Sequence, residues 1–239
     1  MVRFKYVSYH GEKGHWDLRA DRRKLRIGGM GFRSIDLSPL AHFTRLEEFG
    51  IHESLESLDL SPLAHCAQLS KLVIDLVLPE SLDLSPLAHC RQLKDLYLAS
   101  EKVREIDLGA LAHCTKLERF NAHLDRLKEV DLWPLANCNQ LQEFQLNADG
   151  LETLDFSPLA NCSNLRSVCL CARHLRNLDL TPISYCTILE ALALTLGRRT
   201  VVEAHGTRPS TLNVHMGPRS FLTGSSWFRD TDRADPLVR

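Results

Sequence analysis

The sequence predicts an α/β solenoid, and three observations support that fold class. The phrase Asp-Leu-Ser-Pro-Leu-Ala-x-Cys, or a close variant, occurs seven times, with one step of 23 residues followed by five steps of 24. A Leu-x-x-Leu-x-Leu segment, or an apolar equivalent, follows each phrase, and apolar residues hold the same positions in successive copies. A fixed period of roughly 20–50 residues is typical of solenoids, in which each unit packs only against its neighbours.

The first half of each copy predicts a short β-strand. In the copy from Leu93 to Lys116, apolar Leu96 and Leu98 alternate with variable residues, which gives the segment one inward and one outward face. A single strand of this kind is not stable alone. Strands of successive copies are therefore expected to stack about 4.8 Å apart as a parallel sheet.

The second half predicts one or two turns of α- or 3₁₀-helix. In Ser85-Pro86, serine is expected to cap the helix, and proline suits the first helical position because no N–H is needed there. Gly109 and Trp133 replace this serine in the fourth and fifth copies, so those helices are expected to start less firmly. An aspartate before each start is expected to accept backbone N–H groups. This column consists of Asp36, Asp59, Asp83, Asp107, Asp131, Asp155 and Asp179.

Together, Leu-x-x-Leu-x-Leu and Asp-Leu-Ser-Pro-Leu-Ala-x-Cys resemble the leucine-rich repeat family, in its variety with 22–24 residues per unit. The resemblance covers residues 22–197, or about eight units. It implies a leucine-rich-repeat horseshoe with a concave parallel β-sheet and short α/3₁₀ turns on the convex side. It also implies recognition of another protein by the concave face. The asparagine that the family often places after the strand is absent, and Glu101 and Asp125 stand there instead.

The two ends differ from the repeats. Val2, Phe4 and Tyr6 alternate with polar residues, so residues 1–21 are expected to form an N-terminal cap, as a strand or hairpin over the first unit. Residues 198–239 carry no period and are expected to form an irregular C-terminal tail or cap. Within them, residues 210–216 are a candidate strand and Trp227-Phe228 a candidate plug. A largely disordered tail is the alternative.

Composition limits the function classes. The formal charge is -1, whereas nucleic-acid-binding proteins usually carry a basic stripe, so no nucleic-acid partner is expected. We find no apolar stretch of signal-peptide or membrane-spanning length, so no membrane partner is expected. Six of the eight cysteines occupy one repeat position and are explained as buried apolar residues. The chain is therefore expected to be a cytoplasmic monomer.

The sequence predicts no catalytic, cofactor or metal site. It contains no glycine-rich phosphate loop, no Gly-x-Ser-x-Gly elbow and no His-Glu-x-x-His motif. The aspartate column lacks a second recurring carboxylate, which calcium would need, and adjacent His-Cys pairs such as His89-Cys90 point in different directions. Cys169 and Cys171 are expected on the outward sheet face, where a metal-binding or redox-sensitive role is the less favoured alternative to a structural one.

The outward strand positions vary, whereas the core positions do not. Tyr97 is the only aromatic residue among these columns, and exposed tyrosine is a favoured interface anchor. The predicted partner-binding patch consists of Lys71, Val73, Asp75, Asp95, Tyr97, Arg119, Asn121, His123, Glu143, Gln145 and Asn147.

One outward column alternates in charge. Charges of opposite sign in register about 5 Å apart are expected to stabilise the stack, with each charge between two opposite neighbours. A role in recognising a partner is the alternative. The column consists of Lys24, Glu48, Lys71, Asp95, Arg119 and Glu143.

The leading functional hypothesis is a non-catalytic protein–protein interaction scaffold that binds a partner protein on its concave sheet face. The alternative is a regulatory or adaptor fragment of a larger protein whose activity lies outside this chain. An enzyme is a third possibility that no motif supports. The identity of the partner and the biological process do not follow from the sequence.

Overall fold

The computed structural model describes residues 1–77, 79–197, 199–205, 209, 211–216 and 221–223. Within these residues the chain forms strands joined by short 3₁₀-helices. The strands are β1 (Val2–Ser8), β2 (Lys13–Leu18), β3 (Lys24–Gly28), β4 (Phe32–Ile35), β5 (Glu48–Glu53), β6 (Lys71–Leu76), β7 (Asp95–Ser100), β8 (Arg119–His123), β9 (Glu143–Asn147), β10 (Ser167–Ala172), β11 (Asn177–Asp179), β12 (Ala191–Leu196), β13 (Val201–Glu203), β14 (Thr211–Met216) and β15 (Phe221–Thr223).

A parallel sheet forms the spine of the molecule. In the part that the structure describes, it has nine strands, in the order β14-β12-β10-β9-β8-β7-β6-β5-β3. Register follows the repeat, so that Leu72 pairs with Leu96 and Leu96 pairs with Phe120. Each core position therefore stacks on its own equivalent in the next unit. This confirms the predicted solenoid with a parallel sheet.

The second half of each unit folds as a five-residue 3₁₀-helix, which confirms a short helix at this place. Serine was expected to be the N-cap of these helices, and this was wrong. Leu84 holds the cap position of the third helix, and no side chain caps it. The carboxylate of Asp83 already accepts the N–H of Ser85, so a serine cap is not required. The helices span Ser38–His42, Ser61–His65, Ser85–His89, Gly109–His113, Trp133–Asn137, Ser157–Asn161 and Thr181–Tyr185.

No helix among the described residues is both long enough and apolar enough to cross a membrane.

The core lies between the sheet and the 3₁₀-helices. It contains the strand leucines and the column of cysteines, which are fully buried as free thiols in the middle units. The S–H group of Cys114 donates to the carbonyl oxygen of Leu87 in the preceding unit, with the two atoms 3.5 Å apart. Burial raises the pKa of Cys114 to about 11. These cysteines therefore act as small apolar residues that also satisfy a carbonyl of the neighbouring unit.

An antiparallel sheet of β2, β1 and β4 closes the N-terminal end of the core. Its inner face is aromatic. The rings of Phe4 and Trp16 stack with centroids 5.4 Å apart, and Trp16 stacks on Phe32 at 5.5 Å. Phe4 also contacts Phe43 of the first repeat, so the hairpin shields the first unit from water.

Parallel pairing continues beyond Gly197, where the sequence pattern ends. Strand β14 pairs with β12 so that Leu212 lies beside Leu192, and β13 pairs with β11. The candidate strand at residues 210–216 is therefore present as β14, whereas the pairing of β13 differs from the irregular segment expected from residue 198. The unit shortens from 24 to 20 residues because the Asp-Leu-Ser-Pro half is missing, and backbone pairing requires only strand register. The predicted plug at Trp227-Phe228 lies outside the described residues.

Candidate functional site: the concave sheet face

Alternation along each strand places the predicted patch on one face of the sheet. In β7, Leu96 and Leu98 are buried, and the side chains between and beside them point outward. Strand register then sets Tyr97 between Val73 and Asn121. The predicted patch therefore forms one continuous surface across the four strands β6 to β9.

A groove of about 230 Å³ opens at the centre of this surface, and we call it the concave groove. Eight of the eleven predicted patch residues line it. Ser167 and Cys169 also line it, although the sequence analysis did not include them in the patch. The eight predicted residues are Lys71, Val73, Asp95, Tyr97, Arg119, Asn121, Glu143 and Gln145.

The three other predicted residues lie outside the groove lining, in the neighbouring outward column. Asp75 Oδ2 lies 2.7 Å from Nδ1 of His52. His123 and Asn147 lie together, with Asn147 Nδ2 2.9 Å from His123 Nδ1. The predicted patch therefore divides into a groove and an adjacent polar row.

Four of the six charged side chains in the alternating column form two ion pairs. Lys24 Nζ lies 2.5 Å from Glu48 Oε1, and Arg119 Nη2 lies 2.6 Å from Asp95 Oδ1. Lys71 forms no ion pair within 4.0 Å among the described residues. Glu143 lies beside Arg119 and likewise forms none there. The register confirms that opposite charges are neighbours along this column, but no member forms ion pairs with both neighbours among the described residues. A flexible side chain that leans toward one neighbour moves away from the other.

These ion pairs shift the pKa values of Glu48 and Arg119. The hydrogen bond from Lys24 lowers the pKa of Glu48, and the hydrogen bond to Asp95 raises the pKa of Arg119. Glu48 is therefore a carboxylate and Arg119 a guanidinium cation at neutral pH.

A row of amide side chains forms one wall of the concave groove. Asn121 Nδ2 donates to Gln145 Oε1 at 3.1 Å, and Gln145 Nε2 lies 3.4 Å from His123 Nε2. Both contacts of the His123 ring are to amide nitrogens, which only donate, so each tautomer with one acceptor nitrogen can accept from only one of the two amides. Asn121 Oδ1 is buried and has no hydrogen-bond partner within the described residues. This leaves one acceptor free in the row.

Tyr97 is the aromatic centre of the face. Its ring centroid lies 5.6 Å from that of His123, and the side chain is half-buried. Burial, with a smaller contribution from the carboxylate of Asp75, raises the pKa of Tyr97. The phenol therefore stays neutral at physiological pH and presents a rigid amphipathic surface.

Cys169 and Cys171 both lie on the outward face, as the alternation predicted. Cys169 lines the groove, whereas the S–H group of Cys171 donates to Asp149 Oδ1 at 3.5 Å. Burial and the adjacent Asp149 carboxylate raise the pKa of Cys171 to about 11, which disfavours a reactive thiolate. Among the described residues there is no group of three or more His, Cys, Asp or Glu side chains that could hold a metal ion.

A second column of charged side chains runs beside the first, and it was not predicted from the sequence. Lys94 Nζ lies 2.7 Å from Glu118 Oε1, and Arg166 Nη1 lies 2.6 Å from Glu190 Oε1. The signal was present, because the residue after the first leucine of Leu-x-x-Leu-x-Leu changes sign between these neighbouring units. Exposed pairs of this kind each contribute about 0–1 kcal/mol, so the ladder fixes register more than it stabilises the fold.

Comparisons with known proteins agree with this architecture. Residues 80–195 match the family profile described as the BspA type leucine rich repeat region, in six copies. Among curated proteins, none matches this chain by sequence.

The chain is similar to TLR13 in the TLR13–ssRNA13 complex, with 14% identity and a TM-score of 0.57 over 76% of this chain and 30% of that chain. It is also similar to the ectodomain of the Arabidopsis thaliana receptor kinase GASSHO1/SCHENGEN3 in complex with CASPARIAN STRIP INTEGRITY FACTOR 2. There the identity is 13% and the TM-score 0.50, over 84% of this chain and 30% of that chain. Internalin C2 from Listeria monocytogenes is also similar, with 18% identity and a TM-score of 0.49 over 78% of this chain and 74% of that chain. The similarity to TLR13 and to GASSHO1/SCHENGEN3 shows that this chain has the leucine-rich-repeat fold.

Proposed function

We propose that this chain is a non-catalytic scaffold that binds another protein on the concave face of its leucine-rich-repeat sheet. The observation that carries the proposal is the concave groove, with eight residues of the variable columns around it. A rigid sheet that holds mixed polar, charged and aromatic side chains in fixed positions is suited to protein recognition. We also propose units of the 22–24-residue variety with an Asp-Leu-Ser-Pro-Leu-Ala-x-Cys convex half.

The chemistry of the groove favours a protein partner over a nucleic acid. The charge column beside it holds three basic and three acidic side chains, so it supplies no net attraction for a phosphate backbone. The amide row offers donors and acceptors that match a polypeptide backbone. Tyr97 offers an apolar surface at the centre, where interface anchors are usually found.

A second candidate function is that of a regulatory or adaptor part of a longer protein. The chain spans only 30% of the length of each of the two receptors whose fold it shares. In this case the concave face would direct an activity located elsewhere.

We place the chain in a reducing compartment such as the cytoplasm, as a monomer without a cofactor, and the buried thiols of the cysteine column support this placement.

The test is affinity capture with the intact chain and with Tyr97→Ala in parallel, followed by measurement of Kd for each captured protein. Truncation of a central interface tyrosine is expected to weaken binding about tenfold or more. Asn121→Ala should weaken the same interaction, because Asn121 lines the concave groove beside Tyr97 and the substitution removes its amide group.

Trp133→Ala is the matched control, because Trp133 is an exposed aromatic residue on a 3₁₀-helix, away from the concave groove. It should leave Kd unchanged. A physiological partner whose Kd is unaffected by Tyr97→Ala and Asn121→Ala would contradict binding at the concave groove.

A further inference from the structure

A second and larger groove lies just before the 3₁₀-helices and shares no residue with the concave groove. It measures about 1010 Å³ and extends over five units, from Ser81 to Asp179. We call it the flank groove. Its floor consists of half-buried Leu82, Ile106, Val130 and Leu154.

The flank groove exists because neighbouring units do not pair their backbones there. The backbone N–H and carbonyl groups of residues 105–107, 129–131 and 153–155 make no hydrogen bond to another backbone group within the described part of the chain. At the next unit, β11 pairs with β13, and Leu178 in the same column as the groove floor is only 1% exposed. Where the units pair, this column is covered. Along the flank groove it stays partly open to solvent, beside unpaired carbonyl and N–H groups.

The walls of the flank groove are acidic. Glu105 and Glu129 replace the serine of earlier units, such as Ser81, and form no ion pair within 4.0 Å among the described residues. In the four aspartates that line the groove, Oδ1 accepts the N–H two residues on, while Oδ2 makes no hydrogen bond with the part of the chain that the structure describes. The groove lining holds six carboxylates and no lysine or arginine, although the whole chain has a net charge of only -1.

We propose that the flank groove is a second docking site, which takes a basic amphipathic segment of a partner protein. Apolar side chains of that segment would cover the floor around Ile106 and Val130. Its lysine or arginine side chains would pair with Glu105, Glu129 and the free oxygens of the aspartate column. Backbone carbonyls of the groove add further acceptors for the same cations.

Charge complementarity decides between this occupant and others. A nucleic acid or an acidic segment would meet six carboxylates of its own sign. A neutral apolar segment would cover the floor but would remove water from carboxylates that then lack a partner. A basic amphipathic segment is the occupant that satisfies both the floor and the walls.

The test uses three fluorescent peptides of equal length, with binding followed by anisotropy. In the first, lysine alternates with leucine; in the second, glutamate replaces lysine; in the third, serine replaces leucine. The lysine–leucine peptide should bind the intact chain best. Raising NaCl from ~0.05 M to ~0.5 M should weaken its binding, because exposed ion pairs are screened by salt.

Glu105→Gln with Glu129→Gln should weaken the lysine–leucine peptide about tenfold, which corresponds to the loss of two ion pairs. Neither side chain makes a hydrogen bond within the described residues, so the fold should persist, and an unchanged melting temperature checks this. Glu12→Gln with Glu101→Gln is the matched control, because it changes the net charge equally at positions outside the groove. The control and Tyr97→Ala should both leave Kd unchanged.

Three outcomes would overturn the proposal: no binding of the lysine–leucine peptide, equal binding of all three peptides, or equal weakening by the control pair. Self-association of the chain that is lost in the Glu105→Gln and Glu129→Gln double variant would also overturn it, since the occupant would then be a second copy. The result is independent of whether the concave groove binds a partner, because Tyr97→Ala separates the two sites.

Discussion

The Oδ1 atom of Asp107 accepts a hydrogen bond from the backbone N–H of Gly109, with the two atoms 2.7 Å apart. The same contact recurs in all seven units, at 2.7–2.9 Å, whether the residue that donates is serine, glycine, tryptophan or threonine. It therefore does not depend on the side chain at the start of the helix. The aspartate sets the first turn of the 3₁₀-helix and explains why the repeated phrase always begins with Asp.

Replacing Asp107 by alanine should lower the free energy of unfolding by about 1 kcal/mol, the usual contribution of a side chain that satisfies an N–H at a helix start. Asp107→Asn keeps the carbonyl oxygen that accepts this bond, so it should lose much less. Urea denaturation of both variants measures the difference. Equal destabilisation by the two variants would mean that the charge of Asp107, rather than its hydrogen bond, stabilises the turn.

The aspartate column should also make the fold sensitive to acid. The hydroxyl and then the N–H of Ser38 lower the pKa of Asp36, and the N–H and then the hydroxyl of Ser85 lower the pKa of Asp83. A carboxyl whose pKa is lower in the folded state stabilises the fold above its ordinary value of about 3.9. That stabilisation is lost as the pH falls below about 4 and passes through the folded pKa.

The double variant Asp36→Asn with Asp83→Asn should therefore show a shallower loss of unfolding free energy than the wild-type chain between about pH 5 and about pH 3. The difference should be small, because both carboxylates are exposed and solvent screens them. Glu101→Gln, which removes an exposed carboxylate outside the column, should leave the slope of the wild-type chain unchanged. Parallel curves for the wild-type chain and the double variant would contradict the effect.

Cys169 should be alkylated faster than the six thiols of the cysteine column. Cys169 is half-buried in the concave groove, whereas Cys114 is fully buried, with a pKa raised to about 11 by burial. Native alkylation with iodoacetamide, read by mass spectrometry, should label Cys169 first and the six cysteines of the column only after unfolding. Cys169→Ser should remove the fast-reacting site. Labelling of Cys114 as fast as Cys169 would mean that the units open readily.

The repeat itself made most of the fold predictable. Core positions recur because stacking demands the same side chain at the same place, so Leu72 above Leu96 follows from a period of 24 residues. The outward placement of Tyr97 and Asn121 followed from strand alternation in the same way. Neither inference requires knowledge of side-chain conformations.

Contacts between outward side chains were less predictable, because they depend on conformations that the period does not fix. The sequence does not indicate that Arg119 leans toward Asp95 rather than Glu143. The flank groove was also missed, since it arises where backbones fail to pair, and residues 129–131 look like any other extended segment. Residues 210–216 were a candidate strand, but the sequence does not indicate that β14 pairs with β12, because a strand can pair by its backbone without repeating its neighbour's side chains.

Gly150 should be difficult to replace by alanine, because it lies against the backbone of the preceding unit. A Cβ atom at this position would lie 2.7 Å from the carbonyl oxygen of Leu127 and 3.0 Å from that of Asp125, both in the backbone of the preceding unit. Gly150 also donates its N–H to Asp125 at 2.8 Å, so it cannot move away without loss of that bond. Gly150→Ala should therefore lower the free energy of unfolding by about 1–3 kcal/mol, as overpacking commonly does.

Gly50→Ala is the matched comparison, because it adds the same methyl group to a glycine in strand β5. There the new Cβ atom would meet Arg26 Cγ at 3.5 Å and Val73 Cβ at 3.7 Å, which are ordinary contacts with side chains. Alanine is also preferred over glycine inside a strand by about 0.5–1 kcal/mol, so this variant should be neutral or slightly more stable. Both variants are measured by urea denaturation. Equal stability of the two would show that the loop of Gly150 yields to the added methyl group, and that neighbouring units are less closely packed than the distances imply.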